Sequence, residues 1–241
     1  MAAAVQASTQ AANASENLSI NINKPTGTVD GDLLVAVISL ASGDYGPGWD
    51  KADWPATTDD ADAGSYAFTL LNEQIYGSST LSGEVAYRNA GASEPSTGYR
   101  VHATASSGGD ENAIVMLRID GHTGNPTTTG ANGSSTAPDP PNHTGSTGLW
   151  LVGISVDSGR TVTTEPTSYT VLQEAVATSQ VTTWIGDHDT ASQASPQNPG
   201  TATITSTPWC AWTINVADGA AAGLSIPVAM QAYRQRHQSV V

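Results

Sequence analysis

Two stretches of the chain, Lys24–Ile38 (K-P-T-G-T-V-D-G-D-L-L-V-A-V-I) and Ile114–Pro126 (I-V-M-L-R-I-D-G-H-T-G-N-P), constrain its fold most. Each joins an apolar run of strand length to a turn dense in Gly, Pro and Asp. Runs of four to eight apolar residues bounded by such punctuation read as buried strands. The same grammar recurs down the sequence. Leu18, Ile20 and Ile22 alternate with Ser19, Asn21 and Asn23, the period of two that marks a half-buried strand. Leu33–Leu40 is apolar throughout except Ser39, which predicts a strand covered on both faces. Further strands are expected at Tyr66–Leu71, Leu81–Arg88, Gly98–Ala105, Ile114–Ile119, Leu149–Val156, Tyr169–Val176, Gln180–His188, Thr201–Thr205 and Cys210–Val216. In the last of these, Cys210, Trp212, Ile214 and Val216 share one face.

No segment has the periodicity of an amphipathic helix. Ten or eleven strands separated by long Gly/Pro connections predict an all-β sandwich with Greek-key order, of the jelly-roll kind. No repeat of fixed period is visible, which argues against a propeller or a β-helix. The chain has 241 residues, a length that one large all-β domain accommodates. Its expected organisation is an N-terminal arm (1–16), a β-sandwich domain (17–217) and a C-terminal tail (218–241). The arm is rich in Ala, Gln, Ser and Asn and reads as a frayed helix or an extended segment.

Charge excludes several functions. Asp and Glu number 22 against 8 Lys and Arg, for a formal net charge of −14. Phosphate backbones need clustered Lys and Arg, so direct nucleic-acid binding is not expected, and neither is binding to an anionic membrane. The tail reverses the trend: Arg234, Arg236 and His237 lie among the last eight residues with no acid beside them. They are candidates for docking onto an acidic neighbour. Cys210 is the single cysteine, so no intrachain disulfide framework is expected. The first residues lack the basic and apolar regions of a secretory signal, and no run approaches the roughly 20 apolar residues of a membrane-spanning helix.

Chemistry is harder to find. No G-x-S-x-G elbow, H-E-x-x-H, P-loop or G-x-G-x-x-G occurs. The histidines His102, His122, His143, His188 and His237 are scattered without ligand spacing. Asp187-His188-Asp189 is the densest titratable triplet; it reads either as a solvated strand end or as a metal or acid–base site. Residues 42–64 form a long acidic loop. Its Asp59, Asp60 and Asp62 do not have EF-hand spacing. Tyr45, Trp49 and Trp54 in this loop either pin it to the sheet or offer a platform for a sugar. The expected site inventory therefore holds no catalytic residue, no metal ligand and no cofactor.

The pattern K-P-x-G-x-x-D-G-D-L-L-V-A (Lys24–Ala36), the downstream Gly48-Trp49, Tyr87-Arg88 with Glu94-Pro95, and R-x-D-G…P (Arg118–Pro126) together resemble a family of β-rich virion proteins of tailed bacteriophages. The likeness spans about residues 17–217. Where the family pattern continues apolar after Gly-Trp, this chain has Asp50-Lys51, and Ile119 stands where a small residue is common. The resemblance implies a non-enzymatic capsid decoration or cement protein. It would be made in the bacterial host cytoplasm and carried on the capsid surface. Its implied partner is the major capsid protein and its implied state a homotrimer. The alternative is a receptor- or glycan-binding head on a tail fibre or spike, with Tyr45, Trp49 and Trp54 as the platform.

Overall fold

A computed structural model of the chain describes residues 1–13, 19–41, 52–53, 68–77, 81–95, 98–103, 111–178, 180–190, 192–205 and 207–219. These residues hold no helix and thirteen strands. The strands are β1 (Ala4–Asn13), β2 (Ser19–Asn23), β3 (Leu33–Ala41), β4 (Ala52–Asp53), β5 (Thr69–Tyr76), β6 (Leu81–Asn89) and β7 (Gly98–Ala103), followed by β8 (Asn112–Asp120), β9 (Thr127–Ser135), β10 (Gly148–Asp157), β11 (Tyr169–Ala177), β12 (Val181–His188) and β13 (Thr207–Ala217). The strand orders are β1-β8-β3-β6-β5 in a first sheet, β11-β12-β10-β13-β9 in a second, and β2-β7-β4 in a small third. Every pairing is antiparallel. The fold is a β-sandwich of the jelly-roll type. Crossing connections place β8 between β1 and β3, and β13 between β10 and β9.

Three apolar layers explain the sequence pattern. Between the two large sheets, Leu33, Val35, Val37, Val115, Leu117 and Ile119 meet Leu149, Leu151, Ile185, Trp212 and Ile214. The other face of the first sheet packs Leu34, Ala36, Ile38 and Met116 against Ile20, Ile22, Tyr99 and Val101 of the small sheet. The other face of the second sheet packs Trp150, Val152, Ile154 and Trp184 under Ala202 and Ile204 of a long connection. Strands β3 and β10 are therefore covered on both faces, and both read as continuous apolar runs rather than alternating ones. Each large side chain so buried contributes roughly 1.5–3 kcal/mol.

Trp212 sits at the centre and is fully buried. Its Nε1 donates to Asn72 Oδ1 at 3.0 Å. Glycines at 83 and 130 leave the indole its space, because a Cβ would run into Trp212 Cη2 at the first and stand 2.7 Å from Trp212 Cδ1 at the second. A short polar seam crosses the same layer. Ser39 Oγ meets Ser155 Oγ and Thr183 Oγ1, each at 2.5 Å, and Thr183 Oγ1 donates to the Ala113 carbonyl at 2.7 Å. These buried hydroxyls are thus satisfied by one another and by the backbone.

The structure departs from the sequence expectation in four places. Residues 4–13, expected in an arm, form β1, an edge strand hydrogen-bonded along β8. Residues 127–135, inside an expected connection, form β9 along β13. Both strands are half-exposed and consist mainly of Ala, Ser, Thr, Gln, Asn and Gly. Their place depends on backbone pairing, which leaves no hydrophobic signature. Strand β5 runs Thr69–Tyr76 rather than Tyr66–Leu71, with a bulge between Leu70 and Asn72 that shifts the alternation. Residues 201–205 cover the second sheet as a loop, with an isolated bridge from Thr203 to Thr164.

Candidate functional site

The turn before β3 folds around one carboxylate. Thr28 donates from its backbone N to the Pro25 carbonyl at 3.3 Å and from its hydroxyl at 2.7 Å. Asp32 Oδ2 accepts from the Val29 N–H at 2.7 Å. It also accepts from Arg118 Nε of β8, at 2.7 Å. Arg118 Nη1 reaches the Thr26 carbonyl at 3.5 Å. Gly27 adopts φ 78°, and a Cβ there would lie 2.9 Å from Arg118 Nη1. A side chain at 27 would thus be strained by its backbone and crowded by the guanidinium. The Asp32 and Arg118 side chains are 5% and 18% exposed, so this is a largely buried pair joining residues 86 apart in sequence.

A second lock lies nearby. Glu94 Oε1 accepts from Arg88 Nε and Nη2 at 3.1 and 2.9 Å and from the Gly91 N–H at 2.7 Å. Its Oε2 accepts from Tyr99 Oη at 2.7 Å. Burial alone would raise the Glu94 carboxyl, but the donors from Arg88, Gly91 and Tyr99 together hold it below the usual carboxylate range.

Comparison of the chain with protein-family models, with curated proteins and with solved structures finds no match.

The Asp187-His188-Asp189 triplet ends β12 and lines a cleft of about 220 Å³ with Ala3, Ala4, Val5 and Leu149. Burial raises the Asp187 carboxyl, and the charge of Asp189 adds to the rise. Asp189 Oδ1 accepts from the Thr170 hydroxyl at 2.5 Å. His188 Nδ1 accepts from the Thr190 N–H at 3.1 Å, and its ring stands edge-on to Tyr169 at 5.2 Å between centroids. The triplet thus closes the strand end. Among the described residues no group of three His, Cys, Asp or Glu side chains is arranged to hold a metal ion. Tyr45, Trp49 and Trp54, the acids Asp59, Asp60 and Asp62, and the tail residues Arg234, Arg236 and His237 lie outside the described residues.

Sequence reasoning did not single out His143. It is 8% exposed. Its Nε2 lies 2.9 Å from Thr127 Oγ1 and its Nδ1 2.7 Å from Thr129 Oγ1, both on β9. Its ring packs edge-on to Trp150. The histidine therefore pins the 136–147 connection to the second sheet.

Burial lowers the His143 pKa from its ordinary 6.5. A group depressed in this way favours the folded state above its unfolded pKa, and that contribution is lost as pH falls through the folded value. Asp157, Glu174 and Asp187 are raised by burial and act in the opposite direction on acidification. The expected result is a difference: between about pH 7 and 5, wild type loses more thermal stability than His143→Gln. Parallel melting-temperature curves for the two proteins would assign the acid response elsewhere.

Proposed function

We propose that this chain is a non-enzymatic structural protein of a tailed-phage virion, a capsid decoration or cement protein. In this reading it is made in the bacterial host cytoplasm and binds on the shell between subunits of the major capsid protein, as a homotrimer. The observation that carries the reading is the use made of the residues behind the resemblance. Asp32, Arg118, Arg88 and Glu94 are charged residues drawn from three separate motifs, which also contain Lys24, Asp30 and Asp120. The first four close two internal locks instead of facing a pocket. Motifs of this kind specify a scaffold. A three-layered core with two strands buried on both faces supplies the rigidity that a cement protein needs.

In this reading the protein needs no cofactor and binds neither nucleic acid nor membrane. The tail cations Arg234, Arg236 and His237 attach it to carboxylates of the shell or of a neighbouring copy. In the competing reading, a tail-fibre head, Tyr45, Trp49 and Trp54 contact a host glycan. Copy number separates the two. Quantitative mass spectrometry of purified particles should find hundreds of copies, comparable to the major capsid protein. A handful per particle would favour the fibre head, and absence from the particle would end the virion reading.

A further inference from the structure

The two large sheets repeat one topology. Read from its edge, the first runs β1-β8-β3-β6-β5 and the second β9-β13-β10-β12-β11. The orders become identical when β1, β3, β5, β6 and β8 are replaced by β9, β10, β11, β12 and β13, in the same chain sequence. The registers agree as well. Val35 of β3 lies opposite Leu117 and Tyr87, and its counterpart Leu151 of β10 lies opposite Ile214 and Asp187. Both hairpins carry a bulge at the corresponding place, between Leu70 and Asn72 and between Val171 and Gln173.

The contacts between the sheets come in matching pairs: β1 with β11 and β5 with β9, β3 with β12 and β10 with β6, β8 with β12 and β13 with β6. A two-fold relation between the halves produces such a pattern. Ser39 and Ser155, which touch at the centre, hold equivalent positions in the segments D-L-L-V-A-V-I-S-L-A-S-G and G-L-W-L-V-G-I-S-V-D-S-G.

This equivalence gives the molecule two edges of one kind. The hairpin edges β5 and β11 are each interrupted by a bulge and carry a half-buried glutamate at the matching position, Glu73 and Glu174. Strands β1 and β9 contain no charged residue and no proline. β9 is regular throughout, and β1 is regular from Ala7 onward. Among the described residues, no backbone hydrogen bond reaches Ala7–Ala12 or Thr127–Ser135 except those within the sheets to β8 and β13. Open main-chain edges take up another strand. A cationic partner would be drawn to the carboxylates of this acidic surface. Two copies of a molecule with net charge −14 repel over most of theirs, and they approach best along uncharged strips. With no charge on either strand, no register sets like charges opposite each other.

We infer that the chain is a duplicated five-strand unit closed face to face, and that its two equivalent edges are self-association surfaces, β9 of one copy pairing with β1 of the next. Such a head-to-tail contact closes into a ring or grows into a filament. It is a property of the purified chain and does not depend on a place in a virion.

The test uses Ala12→Glu and Asn132→Glu, at equivalent and exposed positions of the two edges. Asn132→Ala serves as a control, because it removes the Asn132 hydrogen bond to Gln74 without adding charge. Masses are measured by analytical ultracentrifugation, with circular dichroism to verify folding. Wild type and Asn132→Ala should form species larger than dimers. Each Glu variant alone should be monomeric. An equimolar mixture of the two should give a heterodimer and nothing larger, since each retains one open edge. A monomeric wild type, association lost in only one of the two variants, or a mixture that stays monomeric would each overturn head-to-tail pairing.

Discussion

Val35→Asp and Val152→Asp are each expected to leave little folded protein at room temperature. Val35 lies between the two large sheets and Val152 under the outer cover of the second, and both are fully buried. An aspartate there either stays charged in an apolar layer or takes up a proton to avoid the charge. Either course costs several kcal/mol, because no partner group waits at the site. A typical domain has about 5–15 kcal/mol of stability in total, so one such cost removes most of it. Val35→Ala, which deletes apolar volume without adding charge, should be milder and still fold. Denaturant unfolding of purified protein provides the comparison. An aspartate variant that is soluble and unfolds at the wild-type midpoint would show that these strands are not covered on both faces.

These two positions were readable from sequence because depth of burial leaves a mark on composition. Strands β3, β8 and β10 are continuous apolar runs, and β13 alternates cleanly, with Cys210, Trp212, Ile214 and Val216 turned to the central layer. Edge strands leave no such mark. Residues of β1 and β9 read as an arm and a connection because their side chains are small and polar, and their position rests on main-chain bonds to β8 and β13. The repeated topology was hidden for a related reason. Equivalent positions preserve burial and register but not side-chain identity: Leu34 answers to Trp150, and Val37 to Gly153. The sequence motifs could be seen, whereas their pairing could not, since Asp32 and Arg118 meet only when β3 and β8 lie side by side. His143 carried no spacing signal at all, because its partners are two threonines.

Breaking the Asp32–Arg118 pair tests whether these two residues are structural or are contact residues. Asp32→Ala is expected to lower stability by about 3 kcal/mol, the low end for a buried pair, since Arg118 retains some exposure. The loss has two parts. The guanidinium is left without its carboxylate, and the Val29 N–H loses its acceptor. Arg118→Met removes the cation and keeps most of the apolar stem, so the double variant should be less destabilised than the two single effects added together. That shortfall is the coupling between the pair. Equilibrium unfolding of the four proteins measures it; if the capsid binding proposed above holds, undecorated capsids mixed with each protein add a binding readout. If the pair is a lock, the single variants lose stability, and the fraction that remains folded still binds. Additive stability effects, or a variant of wild-type stability that no longer binds the capsid, would instead place Asp32 and Arg118 in a contact surface.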